Sequence, residues 1–367
     1  MKIEIKNNYQ YPKAIPHKPV FKGYFACPIK ELHIQPNFQK RFPTMLSELN
    51  KKCGKYFKVV VQLTNGITSD VNRLDLKESN CIEGSTKFCW GQDNKLFFED
   101  NSLGILMKNQ KPSGAKSLAG HLGLKSVLIN SNVEGGNCFL GKKLNGENFA
   151  LVGVDALHKS NKAEVAKSIK VKPENLYVIS QPDFHIDMVV RPLVYPYVLV
   201  GDHKLASKMA DKNSLNKFQR TQLNQLEKSR EETIKYCEYA SVDKVVSELE
   251  KQGFIPIRVP GMVGRNKANF MNAIVHQEPN GDLIYITNKT HLDKKVGLNF
   301  EKMIEQDLKS KAPNVKEVVF VDGDGLLQDN LAIGNGENGG GIHCMSSENP
   351  DFKKWNEFIK NRDCATT

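Results

Sequence analysis

A short segment near the C-terminal end of the chain concentrates residues that could do chemistry. Residues 334–350 read GNGENGGGIHCMSSENP, so a run of glycines leads directly into His343 and Cys344. Glycine permits close backbone approach and positive φ angles, so a Cys that follows such a loop can stand at the rim of a sheet. Because a cysteine thiolate is a strong nucleophile, Cys344 is a candidate for covalent catalysis, although a buried structural cysteine is the alternative for this residue considered alone.

Two further segments place polar side chains at the ends of predicted strands. The segment Glu134-Gly135-Gly136-Asn137 follows the strand SVLINSN, and His185-Ile186-Asp187 follows NLYVISQ. Loops at strand ends collect catalytic groups. Alternate side chains of an extended backbone point to the same side, so His185 and Asp187 would present a proton-transfer group and a carboxylate to one pocket.

Two other motif matches have simpler explanations. Glycines within residues 334–339 satisfy GxGxxG, but a dinucleotide site needs a strand before it and a helix after it, and Pro350 follows closely. Asp322 and Asp324 resemble the start of a calcium loop, but leucines at 326 and 327 occupy positions that need an oxygen ligand and a glycine. We therefore predict neither a nucleotide site nor a metal site, and a turn at Asp322.

The composition predicts an ordinary globular protein in a reducing compartment. The 367 residues are 40% hydrophobic and 25% charged, and no stretch approaches the roughly 18 apolar residues of a membrane span. The start, MKIEIKNNYQ, lacks the apolar core of a signal peptide, so we expect a cytoplasmic protein, with secretion by a route without such a signal left open. The eight cysteines form no CxxC pair and no zinc-ligand cluster, and most are expected to be reduced and buried.

The net charge of +11 comes mostly from lysines that are spread along the chain. Nucleic-acid binding is one interpretation of a basic chain, but there is no basic stripe with interleaved aromatic residues. A lysine-rich, solvated surface is the simpler explanation. We expect no nucleic-acid partner and no membrane contact.

The order of predicted elements is strand, strand, helix, strand, repeated several times. The extra hairpins between helices, such as the one around Asn145-Gly146, favour small mixed sheets over a plain doubly wound fold. Residues 1–55 are interpreted as an N-terminal extension packed on the core, and 56–367 as a single domain. Residues 204–238 form a charged helical insertion, which would serve as a lid or as a partner surface, and a further helix is predicted over 241–252.

Taken in order, EGGN, HID and GGGIHCMSSENP resemble the guanidino-group-modifying enzymes of the pentein fold. The pattern is most similar to the branch of agmatine deiminases and bacterial peptidylarginine deiminases, which also carries HxDxxxR, matched here by His185, Asp187 and Arg191. The segment ANFMNAIV, residues 268–275, resembles a strand of the same family. The resemblance implies an α/β fold in which five ββαβ units form a five-bladed, pseudo-symmetric propeller.

The resemblance also implies roles for individual residues. Cys344 would be the nucleophile, His185 the acid and base, and Asp187 a carboxylate that holds the guanidinium, while Glu134 would contact the guanidinium or orient His185. Further substrate contacts are expected from the residues in or beside these motifs, namely Asn137, Arg191 and Gly341. A second HxD, His291-Leu292-Asp293, lies between a strand and a helix, and the order of the motifs favours His185 over it.

The family's clamp uses another Asp, commonly within W-x-R-D-x-G-P. Here the segment is Trp90-Gly91-Gln92-Asp93-Asn94, in which Trp and Asp match but Arg, Gly and Pro do not. Trp90 and Asp93 are therefore the predicted substrate contacts, with Asp100 as the reserve carboxylate.

The implied reaction is hydrolysis of a guanidino group to a ureido group and ammonia through a Cys-thiouronium intermediate. It requires no metal and no organic cofactor, and arginine, agmatine and arginine-containing peptides are the expected substrates. Two alternatives stay open: an amidinotransferase with the same Cys, His and acid set, and a non-enzymatic binding protein on the pentein scaffold. A homodimer and a protein partner at the helical insertion are also left open.

Overall fold

The strands of this protein form small mixed sheets that share one pattern. The computed structural model describes residues 23–34, 43–62, 68–70, 95–106, 113–209, 216–261, 269–290, 294–322 and 341–364. The strands in these residues, in chain order, are β1 (Gly23–Tyr24), β2 (Ile29–Ile34), β3 (Lys58–Gln62), β4 (Thr68–Asp70), β5 (Lys95–Phe98), β6 (Ser102–Leu106), β7 (Lys125–Ile129), β8 (Cys138–Lys143), β9 (Asn148–Gly153), β10 (Leu176–Ile179), β11 (Val190–Pro192), β12 (Val194–Tyr195), β13 (Tyr197–Asp202), β14 (Ile255–Pro260), β15 (Ile274–Gln277), β16 (Leu283–Asn288), β17 (Val315–Val321) and β18 (Ser346–Pro350).

Most α-helices connect strands of one sheet, whereas the one-turn helix before β18 lies between two sheets and the last helix follows β18. In chain order they are α1 (Pro43–Cys53), α2 (Ser113–His121), α3 (Lys162–Ser168), α4 (His203–Met209), α5 (Lys217–Tyr236), α6 (Val242–Lys251), α7 (Lys294–Lys311), α8 (Ile342–Met345) and α9 (Phe352–Cys364). Single turns of 3-10 helix at Gly135–Asn137 and Ile186–Met188 carry the predicted site segments.

Five sheets are present in the described part of the chain: β10-β9-β8-β1-β12, β11-β13-β14, β15-β16-β17, β18-β2-β3-β4 and β5-β6-β7. Each contains an antiparallel pair whose second strand also pairs in parallel with a strand that follows a helix, as in β5-β6-β7 around α2. A parallel neighbour needs such a crossover, whereas an antiparallel pair closes through a short turn. The predicted α/β fold of strand-strand-helix-strand units is therefore confirmed, and the arrangement of the units as a closed five-bladed propeller stays a prediction.

The sheet beside Cys344 joins the two ends of the chain. Strand β18, which directly follows the nucleophile turn, pairs antiparallel with β2, and β2 pairs parallel with β3 across helix α1. The boundary predicted at residue 55 therefore falls inside this unit, between α1 and β3. The division into an extension and a catalytic domain stays a prediction.

Helical residues 203–251 differ in detail from their prediction. The helix predicted over 204–238 is divided into α4 and α5, and the latter begins with a capping box between Asn216 and Gln219. Such a box satisfies backbone N–H groups at both residues and so favours a new helix start. The next helix, α6, starts at the cap Ser241 as predicted and buries an apolar stripe of valines and Leu249.

The segment ANFMNAIV was expected to be a strand, but β15 begins only at Ile274. The reason is a local side-chain turn, because Asn269 Oδ1 accepts hydrogen bonds from the backbone N–H of Met271 (2.9 Å) and Asn272 (3.1 Å). Asn side chains compete with the strand ladder in this way. Because of this turn, Asn272 lies in a loop, and the direction of its side chain is not set by the alternation of a strand.

The cysteines that the structure describes agree with the expected reduced state. Cys27, Cys53, Cys138, Cys237 and Cys344 are free thiols, and all but Cys237 are buried. Burial raises the pKa of Cys53 and of Cys138 to about 12, so these thiols are held protonated. In the described residues, no helix combines the length and apolar character that crossing a bilayer demands.

Candidate active site

Three loop segments bring the predicted catalytic residues together. Cys344 lies in the one-turn helix α8 before β18, His185 and Asp187 lie at the 3-10 turn before β11, and Glu134 precedes the 3-10 turn before β8. One atom each of His185, Asp187 and Cys344 lies within 4.8 Å of the others. The sequence therefore predicted a set of residues that is compact in space although it spans more than two hundred positions.

Cys344 is held by an asparagine that the sequence did not single out. The side chain of Asn272 donates from Nδ2 to Cys344 Sγ at 2.9 Å, and its Oδ1 accepts from the backbone N–H of Cys344 at 3.1 Å. The same oxygen accepts from the backbone N–H of His343 at 3.0 Å. Asn272 thus fixes the nucleophile turn and places an N–H donor on the sulfur, which favours negative charge there.

His185 forms an acid–base pair with Glu134. Its Nε2 lies 3.0 Å from Glu134 Oε2, and the His185 side chain is mostly buried. A carboxylate in this position orients an imidazole and stabilises its protonated form. This contact fits the orienting role predicted for Glu134, and its contact with the guanidinium stays a prediction.

The two carboxylate oxygens of Asp187 have different surroundings. Oδ2 accepts from Asn272 Nδ2 at 2.7 Å and from Cys344 Sγ at 3.4 Å, and it lies 2.8 Å from His343 Nδ1. Oδ1 is buried, and no described residue donates a hydrogen bond to it. A buried acceptor requires a partner, so Oδ1 is suited to an N–H donor that enters the site from outside.

The remaining predicted contact residues are engaged by the protein itself. Asn137 Oδ1 accepts from the backbone N–H of Ile186 at 2.9 Å and from Gln181 Nε2 at 2.6 Å, which ties the His185 loop to the EGGN loop. Arg191 lies behind the nucleophile turn, with NH1 at 2.8 Å from His343 Nε2 and NH2 at 3.1 Å from Glu348 Oε1. As substrate contacts, both residues stay predictions.

Gly341 has a steric reason to be glycine. A Cβ at this position would lie 2.5 Å from Asn288 Nδ2 and 2.7 Å from Asn272 Oδ1. The neighbouring backbone N–H of Ile342 donates to Asn288 Oδ1 at 2.8 Å. Two asparagine side chains therefore pack directly on the end of the glycine loop, and this close packing positions Cys344.

The structure does not describe the predicted aromatic contact or the second predicted carboxylate of the clamp. Trp90 and Asp93 fall outside the described residues, as do His291 to Asp293, so their predicted roles stay predictions. The reserve carboxylate, Asp100, is 59% exposed and forms an ion pair with Lys170 at 2.5 Å. The ammonium of Lys170 lowers the pKa of Asp100, and we do not include this surface carboxylate in the site.

The helical insertion contacts the loop that carries His185. Arg230 of α5 is 3% exposed, donates to the carbonyl of Pro182 at 2.7 Å and forms a buried ion pair with Asp183. Burial raises the pKa of Asp183, and the Arg230 guanidinium opposes that rise. The backbone N–H of Ala240, just after α5, donates to the carbonyl of Gln181 at 2.8 Å. The insertion is thus attached to the loop two to four residues before His185.

A single added methyl group should test the geometry of His185. A Cβ on Gly136 would overlap the imidazole of His185, so Gly136→Ala should displace that ring from Glu134. Since general acid–base groups contribute about 10²- to 10⁴-fold, we expect a loss of at least about tenfold in kcat with a small change in thermal stability. Gly120→Ala in α2 is the matched control, because nothing lies within 4 Å of an added Cβ there. Equal kcat values for Gly136→Ala and the wild type would exclude His185 in its present position from catalysis.

Comparison with known proteins gives a fold and no sequence family. No protein-family model and no curated protein sequence matches this chain. Among solved structures, it is similar to an agmatine deiminase from C. jejuni, with a TM-score of 0.57 and 15% identity over 90% of this chain and 96% of that chain. It is also similar to a protein named a putative peptidyl-arginine deiminase, with a TM-score of 0.53 and 16% identity over 90% of this chain and 99% of that chain. The protein has the fold of these two structures, which confirms at that level the resemblance found in the motifs.

Proposed function

We propose that this protein, which shares the fold of two deiminases, is a cysteine-dependent hydrolase that converts a guanidino group to a ureido group and ammonia. The observation that carries the proposal is the contact of Cys344 Sγ with Asp187 and Asn272, beside the His185–Glu134 pair. A nucleophile, a carboxylate for a cation and an acid–base group therefore face one point. The five sheets support the further proposal that they are the blades of a pentein propeller.

The substrate contact in this proposal is Asp187 Oδ1. A guanidinium is planar and carries N–H donors on each nitrogen, and a carboxylate binds such a group through charge-assisted hydrogen bonds. With Oδ2 occupied by protein donors, Oδ1 would hold one edge of the cation while Cys344 faces its central carbon. Asp93 and Trp90 are the proposed contacts at the opposite edge.

The chemical steps follow from the groups present. His185 takes the thiol proton of Cys344, and the thiolate adds to the guanidinium carbon. The carbon–nitrogen bond to ammonia breaks when His185 supplies this proton to the leaving nitrogen. The product of this step is a thiouronium bonded to Cys344. His185, now neutral, takes a proton from water, whose oxygen adds to the same carbon, and the thiolate leaves to give the ureido product. All atoms of the reaction come from the substrate, water and these side chains.

The substrate is tested with a panel. Purified protein would be given arginine, agmatine, methylated arginines and an arginine-containing peptide, with ureido product and ammonia measured together. The proposal expects ureido product from one member of the panel together with an equal amount of ammonia, or of methylamine where the released nitrogen is methylated. The same assay with added primary amines separates hydrolysis from amidino transfer, because transfer moves the amidino group to the acceptor and releases the substrate's own amine, with no ammonia and no ureido product. A folded protein that yields neither product from any member would overturn the proposed function.

The remaining expectations from the sequence stay proposals. We propose that the helical insertion, which forms α4 and α5, serves as a lid or as a partner surface. A homodimer and a cytoplasmic location also stay proposals.

A further inference from the structure

A chain of four charged or polar side chains runs behind the nucleophile. It leads from Glu348 on β18 to Arg191 on β11, then to His343 beside the nucleophile, and ends at Asp187 in the site. The contacts are 3.1 Å from Arg191 NH2 to Glu348 Oε1, 2.8 Å from Arg191 NH1 to His343 Nε2, and 2.8 Å from His343 Nδ1 to Asp187 Oδ2. All but Glu348 are more than nine-tenths buried.

The middle contact determines the tautomer of His343. A guanidinium has only N–H donors, so Arg191 NH1 must donate to His343 Nε2, and that nitrogen must carry a lone pair. The hydrogen of the neutral ring is then on Nδ1, where it donates to Asp187 Oδ2. Burial lowers the pKa of His343 and the charge of Arg191 lowers it further, which keeps the ring neutral in agreement with this geometry.

We propose that Arg191 and His343 are positioning residues for the reaction, in which Arg191 fixes His343 as the Nδ1–H tautomer and His343 holds Asp187 Oδ2 so that Oδ1 faces the guanidinium. This inference rests on the proposed function. It gives one shared task to residues of two separate motifs, the Arg of HxDxxxR and the His before Cys344. It also assigns Arg191 to the back of the site, away from any carboxylate of the substrate.

The physical reason is the rotation of a carboxylate. Without the donor at His343 Nδ1, Asp187 keeps Asn272 as its main donor, and one N–H bond leaves the carboxylate able to turn about its Cβ–Cγ bond. Asn272 Nδ2, which donates to both Asp187 and Cys344, would then be the main group that fixes the orientation of the Asp187 carboxylate. The wrong tautomer is worse than a missing ring, because it would place a lone pair of Nδ1 against Oδ2.

Four variants test the inference through kinetics. His343→Leu removes the donor, whereas His343→Asn can present an amide N–H at the position of Nδ1. Residues that orient a functional group through a hydrogen bond contribute roughly 10- to 100-fold to activity. We therefore expect a fall of that size in kcat/KM for His343→Leu, carried partly by a raised KM for the guanidino substrate, and recovery to within about tenfold of the wild type in His343→Asn. Arg191→Met should resemble His343→Leu, and Arg191→Lys should lose less.

The matched control is His276, another buried histidine. Its Nδ1 accepts a hydrogen bond from the backbone N–H of Ile29 at 3.1 Å, and it contacts none of the four residues of the chain. His276→Leu should lower the melting temperature but leave KM and kcat of the folded protein unchanged. If His343→Leu does not fold, the comparison of His343→Asn with Arg191→Met decides the same question.

A spectroscopic measurement reads the tautomer directly. In protein labelled with ¹⁵N-histidine, two-bond ¹⁵N–¹H correlation distinguishes Nδ1–H, Nε2–H and doubly protonated rings, and His343→Asn identifies the signal. The inference expects Nδ1–H in the wild type and loss of that pure signature in Arg191→Met. An Nε2–H or doubly protonated ring in the wild type would overturn it, and so would wild-type kcat/KM in His343→Leu.

The two proposals fail in different ways. A wild type that is inactive on the whole substrate panel overturns the proposed function, and the inference falls with it even where the tautomer is as stated. An active wild type with the other tautomer, or with a dispensable His343, overturns the inference alone.

Discussion

Replacing Cys344 by Ala should abolish formation of ureido product from whichever guanidino compound the wild type hydrolyses. The thiolate supplies the bond that divides the reaction into two steps, and removing a nucleophile of this kind costs on the order of 10⁴- to 10⁶-fold in kcat. Binding should persist, because Asp187 Oδ1 does not depend on the sulfur. We expect the substrate to raise the melting temperature of Cys344→Ala.

The control for this variant is Cys53→Ala. Cys53 is also buried and free, but it lies in α1 within the hydrophobic core, and the raised pKa of about 12 makes its thiol a poor nucleophile. Cys53→Ala should keep kcat while losing some stability. Turnover by Cys344→Ala within tenfold of the wild type would remove Cys344 from the mechanism and leave the deiminase proposal without a nucleophile.

Replacing His185 by Asn should separate the two steps of the reaction. With an ordinary substrate the variant cannot protonate the departing ammonia, and we expect kcat to fall by about 10²- to 10⁴-fold. The S-methylisothiourea analogue of the substrate carries methanethiolate, a leaving group that needs no proton. Cys344 of the variant should displace it and form the same thiouronium, which then persists because no base activates water.

Mass spectrometry of the intact variant measures this state. A mass increase equal to the substrate minus ammonia, which is also the analogue minus methanethiol, is the expected result on the peptide that contains Cys344. The wild type should show little of it because it hydrolyses the adduct. The double variant with Cys344→Ala is the control and should show no adduct. Rapid hydrolysis of the adduct by His185→Asn would mean that another group activates the water.

The candidate site was predictable to the extent that its residues lie in short motifs. Cys344, His185, Asp187 and Glu134 each stand in a distinctive local pattern, and the structure brings them together as expected. Asn272 was missed because its importance depends on contacts with residues 72 and 85 positions away. The sequence did contain a signal, namely the two asparagines at 269 and 272. An Asn side chain can accept from the backbone N–H three residues later and so turn the backbone, which argues against a continuous strand here.

The fold, like the site, was predictable where its sequence signals are local. Hairpins and amphipathic helices have local signatures, so the strand-strand-helix-strand order could be inferred from hydrophobic patterns and turns. The pairing of β18 with β2 could not, because it joins Ser346 to Ile34 across almost the whole chain and no local periodicity encodes such a partner. For this reason the N-terminal residues were interpreted as an extension, although β2 and α1 belong to the unit that β18 completes.

The buried pair of Arg230 and Asp183 has a consequence for local unfolding. Separating a buried ion pair strands a charge in the interior, at a cost of about 3–5 kcal/mol. Helix α5 therefore cannot fray along its whole length while the loop at Gln181 to His185 stays in place, and the two open together as one cooperative unit. The peripheral helix thereby adds to the free energy that keeps His185, the proposed acid–base group, in its working position beside Glu134.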